Sequence, residues 1–326
     1  MINYSYRFSD YLAPDFSFEK AAMQLFHYQY TKNPVYQKYV NDLGIDQKRI
    51  RTTSDIPFLP VEVFKEKAVK TSKETEIIFT SSGTTGFQTS RHYVHDLNLY
   101  EQSFMKCFEL FYGPVDNYCV LALLPGYLER QGSSLIYMAD YFIKQSKYKQ
   151  SGFYLYEHDD LEKVLKHNEQ QNIPTLLLGV TFALLDFAET NQLNLKNTIV
   201  METGGMKGRR KEIIREEVHE ILKSGFGVQK IHSEYGMTEL LSQAYSQGEG
   251  LYSTPPWMKV FVYDFYNPLN TETVGKGGIN IIDLANAHSC PFIQTRDIGE
   301  LFPDGTFQVL GRFDQSDIRG CNLMVI

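Results

Sequence analysis

The sequence predicts an α/β protein: a mostly parallel sheet with flanking helices, plus a smaller β lobe. Three observations carry this. From residue 76 to about 245, strand-like and helix-like stretches alternate at a spacing that calls for right-handed crossovers between parallel strands. Within that region Tyr118-Cys119-Val120-Leu121-Ala122-Leu123-Leu124 is continuously apolar, as a strand buried on both faces must be. After about residue 250 the texture changes to short strands separated by turn signals such as Pro303-Asp304-Gly305. The implied division is a helical N-terminal segment over 1–75, an α/β subdomain over 76–249 and a β-rich subdomain over 250–326.

Taken in order, residues 18–26 carry helical apolar spacing, with Ser17 as the candidate cap. Asn33-Pro34 breaks that helix, and a second begins at Pro34. Residues 56–65 are too rich in proline for a regular element and read as an extended segment running toward the sheet. Glu76-Ile77-Ile78-Phe79 and Arg91-His92-Tyr93-Val94-His95 read as strands. Asp96 is placed to cap a helix whose Tyr100, Phe104, Cys107, Phe108 and Phe111 share a face. Helices follow at 133–147, 159–170, 182–190 and 210–222, and strands at 175–180, 198–201 and 228–232. In the last region, 259–263, 278–283, 292–295 and 306–310 are strands.

At 326 residues the chain is long enough to bury a large core, and its 22 Tyr and 22 Phe make much of that core aromatic. A net charge of −7 argues against a nucleic-acid surface, though a local site can still receive an anion. No apolar run reaches the length of a membrane span, and the first residues lack the order of a signal peptide. Cys107, Cys119, Cys290 and Cys321 are widely spaced, so neither a disulfide framework nor a zinc site is indicated. A reducing cytoplasm is the simplest home for such a chain.

One stretch stands out. Thr80-Ser81-Ser82-Gly83-Thr84-Thr85-Gly86 places five hydroxyls and two glycines in seven residues between two strands. Such a loop lets N–H groups and hydroxyls form a concave donor surface suited to a phosphate chain. It is not a Walker A loop, having no Gly-Lys-Ser/Thr, and it lacks the dinucleotide Gly-x-Gly-x-x-Gly. A polar surface turn is the plainer reading. Two further polar clusters, at 203–205 and 234–239, also follow predicted strands, where parallel sheets bind ligands.

Four stretches read together: the hydroxyl-rich loop; Glu202-Thr203-Gly204-Gly205; Ser233-Glu234-Tyr235-Gly236-Met237-Thr238-Glu239; and Thr295-Arg296-Asp297-Ile298-Gly299-Glu300 with Gly311-Arg312-Phe313-Asp314. Their order and spacing resemble the adenylate-forming (acyl-activating) superfamily over residues 76–326, the third stretch being close to that family's Tyr-Gly-x-Thr-Glu motif. Asn33-Pro34-Val35-Tyr36, residues 56–65, Gly204-Gly205-Met206-Lys207-Gly208-Arg209 and Ile318-Arg319-Gly320-Cys321-Asn322 are similar to two branches of it. One is the acyl-protein synthetases of bacterial fatty-acid reductase complexes, which supply aldehyde to luciferase; the other is the phenylacetate–CoA ligases. The first is the better fit because of the ending.

The resemblance implies the large N-terminal domain of an enzyme that activates a carboxylic acid, here a fatty acid, with ATP and Mg²⁺, releasing pyrophosphate. It implies that Thr80 to Gly86 wraps the ATP phosphates, that Thr238 contacts phosphate and that Glu239 ligates Mg²⁺. Gly204, Gly205 and Tyr235, with Glu234 and Gly236 beside it, bracket adenine; Asp297 takes the ribose hydroxyls and Arg312 supports ribose and phosphate. On the residues alone, Glu239 also reads as a helix cap or surface acid, Asp297 as a turn residue and Arg312 as a solvated charge. Tyr235 also reads as core, and Thr80 and Ser81 as turn hydroxyls.

Three departures from the family pattern stand out. No lysine comes soon after Gly86; Phe87-Gln88-Thr89-Ser90 intervenes before Arg91, the nearest cation. The segment from Gly311 to Gly320 is one residue shorter than in the CoA ligases. The chain ends at Ile326, where the family's mobile C-terminal domain, with its adenylation lysine, would begin. In the acyl-protein synthetases the acyl group moves from AMP to a cysteine near the C-terminus, which implicates Cys321; nearby Arg319 would lower its pKa. An inert cysteine is the plain alternative, and Cys290 is a weaker candidate. Tyr127, Gln131 and Phe182 would line an acyl tunnel or simply belong to the core.

Three functions are therefore set out. The first is an acyl-protein synthetase that passes the acyl group to a thiol, with an acyl-reductase or carrier protein as partner. The second is an acyl- or aryl-CoA ligase. The third is a non-catalytic nucleotide- or acyl-binding subunit. A homo-oligomer is compatible with each.

Overall fold

The structure is a computed structural model that describes residues 4, 7–81, 89–125, 132–204 and 213–313. The fold class is the one expected: α/β, a large mixed sheet flanked by helices with a smaller β lobe.

The first elements are α1 (Phe18–Lys32) and α2 (Pro34–Asp42). Ser17 caps α1 by accepting from Lys20 N–H, and the Asn33 carbonyl oxygen Oδ1 caps α2 by accepting from Val35 and Tyr36 N–H. The proline-rich segment contains a two-residue strand, β1 (Leu59–Pro60), and one helical turn, α3 (Val63–Glu66). Strands β2 (Ile77–Thr80) and β3 (Arg91–Val94) flank the hydroxyl-rich loop. Next come α4 (Leu97–Tyr112), β4 (Cys119–Leu123), α5 (Ser134–Gln145), β5 (Gly152–Phe153) and α6 (His158–Gln170). Tyr100, Phe104, Cys107 and Phe108 are buried as their spacing requires, and every residue of β4 is buried.

The alternation continues through β6 (Thr175–Val180), α7 (Thr181–Thr190), β7 (Thr198–Thr203) and α8 (Arg215–Phe226). Two expectations need correction here. The helix expected over 210–222 is α8, which starts at Arg215 and runs on to Phe226, because Gly227 at φ +67° supplies its left-handed cap. The strand expected at 228–232 is β8 (His232–Tyr235), so Ser233, Glu234 and Tyr235 are strand residues rather than loop residues. The last elements are β9 (Ala244–Ser246), β10 (Tyr252–Ser253), β11 (Met258–Tyr263), β12 (Thr271–Glu272), β13 (Gly275–Asp283), β14 (Phe292–Leu301) and β15 (Phe307–Arg312).

The chain divides into two compact units, residues 1–76, 92–96 and 256–326 in one and 77–91 and 97–255 in the other. The first unit is discontinuous in sequence. Aromatic packing ties its ends together: Phe8 meets Trp257 edge-on at 4.9 Å, and Tyr36 packs on Phe292 at 5.7 Å. Gln29 Nε2 donates to Ala287 O at 2.7 Å. Its β lobe is antiparallel in the order β12-β11-β13-β14-β15, and β1 joins β14 in parallel, Leu59 facing Ile293.

In the second unit the sheet order is β5-β4-β6-β7-β8-β9-β10. The first five strands are parallel, and β9 and β10 are antiparallel additions. Helices α7 and α8 pack together through Phe187 and Phe226, whose rings stack at 5.5 Å. No helix among the described residues is long and apolar enough to cross a membrane.

Candidate functional site

The carboxyl ends of β7 and β8 lie side by side, and strand register explains what gathers there. Glu202 faces Ser233, Ser233 faces Ser246 and Ser246 faces Tyr252, while Glu202 also faces Gly179 on β6. These five residues form one row across five strands on one face of the sheet. One residue further on, Val180, Thr203, Glu234, Tyr245 and Ser253 form a second row. Since side chains alternate along a strand, the second row lies on the opposite face.

The first row is an interior polar cluster. Glu202 Oε2 accepts from Thr181 Oγ1 at 2.7 Å, and His219 Nε2 on α8 stands 3.8 Å from Glu202 Oε1. Burial works to raise the Glu202 carboxyl. The His219 imidazole, the Thr181 hydroxyl, the Arg215 charge and the Ser233 hydroxyl outweigh it and hold the carboxyl below its usual range. The Arg215 guanidinium lies over the Tyr252 ring at 5.4 Å, and Tyr252 meets Tyr235 edge-on at 5.9 Å.

In the second row Thr203 Oγ1 donates to Glu234 Oε2 at 2.5 Å, a short charge-assisted bond between two buried side chains. Helix α4 covers this face: Ser103 Oγ lies 2.9 Å from Ser242 Oγ, and the Cys107 thiol donates to Gln243 O at 3.2 Å.

The structure brings Gly204, Glu234, Tyr235, Gly236, Thr238 and Glu239 together in the second unit. Gly204 follows β7 directly, with φ +76°. Gly236 follows β8, and a methyl group there would meet Glu234 Oε1 at 2.4 Å. Thr238 and Glu239 form the next turn. Glu239 is 5% exposed and belongs neither to a helix cap nor to the solvated surface. A buried carboxylate beside a half-buried hydroxyl is a donor set that fits Mg²⁺, which takes one or two protein oxygens and fills its shell with water and substrate phosphate. Among the described residues no group of three or more His, Cys, Asp or Glu forms an all-protein metal cage.

At the base of the hydroxyl-rich loop, Ser81 N–H donates to Ser90 O at 3.2 Å and Ser90 N–H to Ser81 Oγ at 2.9 Å. Thr80 N–H donates to Gly132 O at 2.7 Å. Arg91 is exposed where β3 begins. Ser82, Gly83, Thr84, Thr85 and Gly86 lie outside the described residues, as do Gly205, Cys321, Tyr127 and Gln131.

Asp297 and Arg312 belong to the first unit, where they face each other across β14 and β15. Asp297 is a strand residue, not a turn residue; its N–H donates to Thr295 Oγ1 at 3.0 Å, and the pairing shifts register just beyond it. Arg312 is exposed at the end of β15. Burial, then the charge of Asp297, push the nearby Tyr263 phenol up to about 12.

Cys290 is fully buried, and burial pushes its thiol up to about 12, which removes it as a nucleophile at neutral pH. Cys107 and Cys119 are buried as well.

Sequence reasoning passed over Thr181, His219, Arg215 and Tyr252. The available signal was Glu202 itself, a carboxylate closing the strand Thr198-Ile199-Val200-Met201, where an ionised group needs partners.

This is the fold of the adenylate-forming ligases, and the solved structures it is similar to are of that kind. One is the ATP-bound MatB of Rhodopseudomonas palustris, with a TM-score of 0.55 and 15% identity over 74% of this chain and 49% of that one. Another is the open conformation of 2-hydroxyisobutyryl-CoA ligase in complex with 2-HIB-AMP and CoA, with a TM-score of 0.63 and 10% identity over 96% of this chain and 75% of that one. A third is the O-succinylbenzoate coenzyme A synthetase (MenE) of Bacillus subtilis in complex with AMP, with a TM-score of 0.51 and 18% identity over 76% and 51%. At such identities the likeness establishes the fold. The chain spans about half the length of MatB. The family described as "Acyl-protein synthetase, LuxE" matches residues 13–100. No curated protein matches the chain.

Proposed function

We propose that this chain belongs to the adenylate-forming ligases and activates a carboxylic acid with ATP, giving an acyl-adenylate and pyrophosphate, and that the acyl group then passes to coenzyme A. The observation that carries the reading is the position of two motif stretches. Thr203-Gly204 and Tyr235–Glu239 lie at the carboxyl ends of the neighbouring parallel strands β7 and β8, where α/β sheets bind ligands. The likeness to ligases solved with ATP, with AMP, and with an acyl-adenylate and CoA supports both halves of the reaction.

In this assignment Thr80, Ser81 and the loop through Gly86 hold the phosphates. Gly204, Gly205 and Tyr235, beside Glu234 and Gly236, bracket the base, Asp297 binds ribose and Arg312 supports ribose and phosphate. Thr238 contacts phosphate. Glu239, with the ATP phosphates, would hold Mg²⁺, whose charge offsets that of the phosphates. The chain's own part is positioning: donors fixed before the reaction need not reorganise during it.

A second reading rests on the match to the acyl-protein synthetase family at residues 13–100. There the acceptor is Cys321, and an acyl-reductase or carrier protein receives the acyl group.

The test is pyrophosphate release with ATP, Mg²⁺ and a panel of fatty and aryl acids, with and without CoA, followed by mass analysis of products and protein. Acid-dependent pyrophosphate with acyl-CoA as product supports the proposal. A hydroxylamine-labile acyl mass on the protein, absent in Cys321→Ser, replaces CoA with the cysteine. Nucleotide binding with no acid-dependent pyrophosphate leaves a non-catalytic binding subunit.

A further inference from the structure

A carboxylate inside a sheet is costly, and an apolar residue of similar size would ordinarily be at least as stable there. Glu202 is 8% exposed and is nevertheless kept ionised by side chains drawn from α7, α8 and β8. Two atoms around it, His219 Nε2 and Ser233 Oγ, are buried without a hydrogen bond of ordinary geometry. Native interiors retain few such atoms, and those they retain ask for an explanation beyond packing.

Position supplies one. Glu202 lies two residues before Gly204 on β7, and Ser233 lies two residues before Tyr235 on β8, with Glu202 and Ser233 directly opposite each other. Tyr252, in the same row, meets the Tyr235 ring edge-on at 5.9 Å and lies under the Arg215 guanidinium. The cluster therefore holds both strand ends at once: Thr181 and His219 act on β7 through Glu202, and Arg215 acts on the Tyr235 side through Tyr252.

We propose that Glu202, with Thr181, His219, Ser233, Arg215 and Tyr252, forms a positioning cluster that fixes the separation of Gly204 and Tyr235 and thereby sets affinity for the adenine nucleotide. The inference rests on the proposed assignment of Gly204 and Tyr235 to the base. None of the six is a catalytic residue; they act through the two residues they hold.

The experiment compares wild type with Glu202→Gln, nearly isosteric and uncharged, and with Tyr252→Phe, which leaves the ring in place and removes the hydroxyl that interacts with Ser233 beside Glu202. ATP with Mg²⁺ is titrated by calorimetry, and amide exchange is followed in the free proteins. Glu202→Gln is expected to weaken ATP binding about tenfold or more and to speed exchange at residues 200–204 and 232–236 while the rest of the unit keeps its protection. Tyr252→Phe is expected to weaken binding about threefold, and it decides the matter if Glu202→Gln does not fold. Affinity within about twofold of wild type in the folded variants overturns the proposal. So does a loss of affinity accompanied by faster exchange throughout the unit, which would make the cluster merely structural. If wild type binds no ATP, the assignment to a nucleotide site fails and takes the inference with it, whereas normal wild-type binding with an unaffected variant sinks the inference alone.

Discussion

Gly236→Ala is the sharpest test of why a glycine follows Tyr235. The residue is exposed, so on accessibility alone the added methyl group would be nearly neutral. The obstacle is local: the new Cβ would lie 2.4 Å from Glu234 Oε1 and 3.6 Å from Gln243 Cγ. The carboxylate oxygen would have to withdraw by about 1 Å to reach van der Waals separation. It cannot do so freely, because Glu234 is 7% exposed and its other oxygen accepts the Thr203 hydroxyl at 2.5 Å. Breaking a charge-assisted bond of that kind costs about 1.5–3 kcal/mol, and an off-rotamer Glu234 adds about 0.5–1.5 kcal/mol. The sum, about 2–4.5 kcal/mol, corresponds to a fall in melting temperature on the order of 5–15 °C for a unit of this size. The assay is thermal unfolding of the single variant and of Gly236→Ala combined with Glu234→Ala. In the shortened background the methyl group has nothing to strike, so its cost should fall to within about 0.5 kcal/mol of zero. A single variant as stable as wild type, or the same loss in both backgrounds, would refute the reasoning.

Three further outcomes are expected. Gly227→Ala should destabilise the second unit by at least about 2 kcal/mol, since φ is +67° and the new Cβ would meet Leu193 O at 2.4 Å and Asn194 Cα at 2.6 Å, both backbone atoms; denaturant unfolding measures it. Burial first, and Lys230 second, depress the His232 imidazole from 6.5 to about 4, so the folded protein holds it neutral. The associated stability is complete above about pH 6.5 and is lost as pH falls toward about 4; discounted for partial exposure it amounts to about 1–2 kcal/mol, and His232→Asn should flatten the stability–pH curve in that window. An unchanged slope in the variant counts against it. Iodoacetamide on the native protein should leave Cys107, Cys119 and Cys290 unmodified by peptide mass mapping, each being 0% exposed; prompt labelling of any of the three would contradict their burial.

Legibility in the sequence followed the source of each element's stability. Strands β4 and β6 and the buried face of α4 were plain because burial of apolar side chains forms them, and that leaves a pattern of period or composition. Strand β8 was displaced by several residues because His232-Ser233-Glu234-Tyr235 has no apolar pattern; its backbone pairs with β7 and β9, and Glu234 accepts from Thr203 on β7. For the same reason the strand read over 292–295 stopped short of Asp297, which is part of β14. The polar stretches themselves were legible as motifs. Their surroundings were not, because Thr181, His219 and Tyr252 reach Glu202 through tertiary contacts between residues 17 to 50 positions apart, which no local pattern encodes.

The burial of cysteines bears on the acyl acceptor. An acyl-adenylate is attacked by a thiolate, so an acceptor needs both access and ionisation. Cys107 is fully buried, and its thiol hydrogen is engaged by the Gln243 carbonyl. Cys119 lies in the middle strands of the parallel sheet, and burial raises its thiol. Cys290 is enclosed and raised to about 12, leaving roughly one molecule in 10⁵ ionised at pH 7. Of the four cysteines these three are therefore excluded as carriers, and a carrier within the chain would have to be Cys321. The alternatives then separate on one substitution: Cys321→Ser leaves CoA-dependent acyl transfer untouched if coenzyme A is the acceptor, and abolishes every covalent acyl-protein species if the cysteine is. A hydroxylamine-labile acyl group that persists on the Cys321→Ser protein would contradict the exclusion of the other three, and with it the burial on which that exclusion rests.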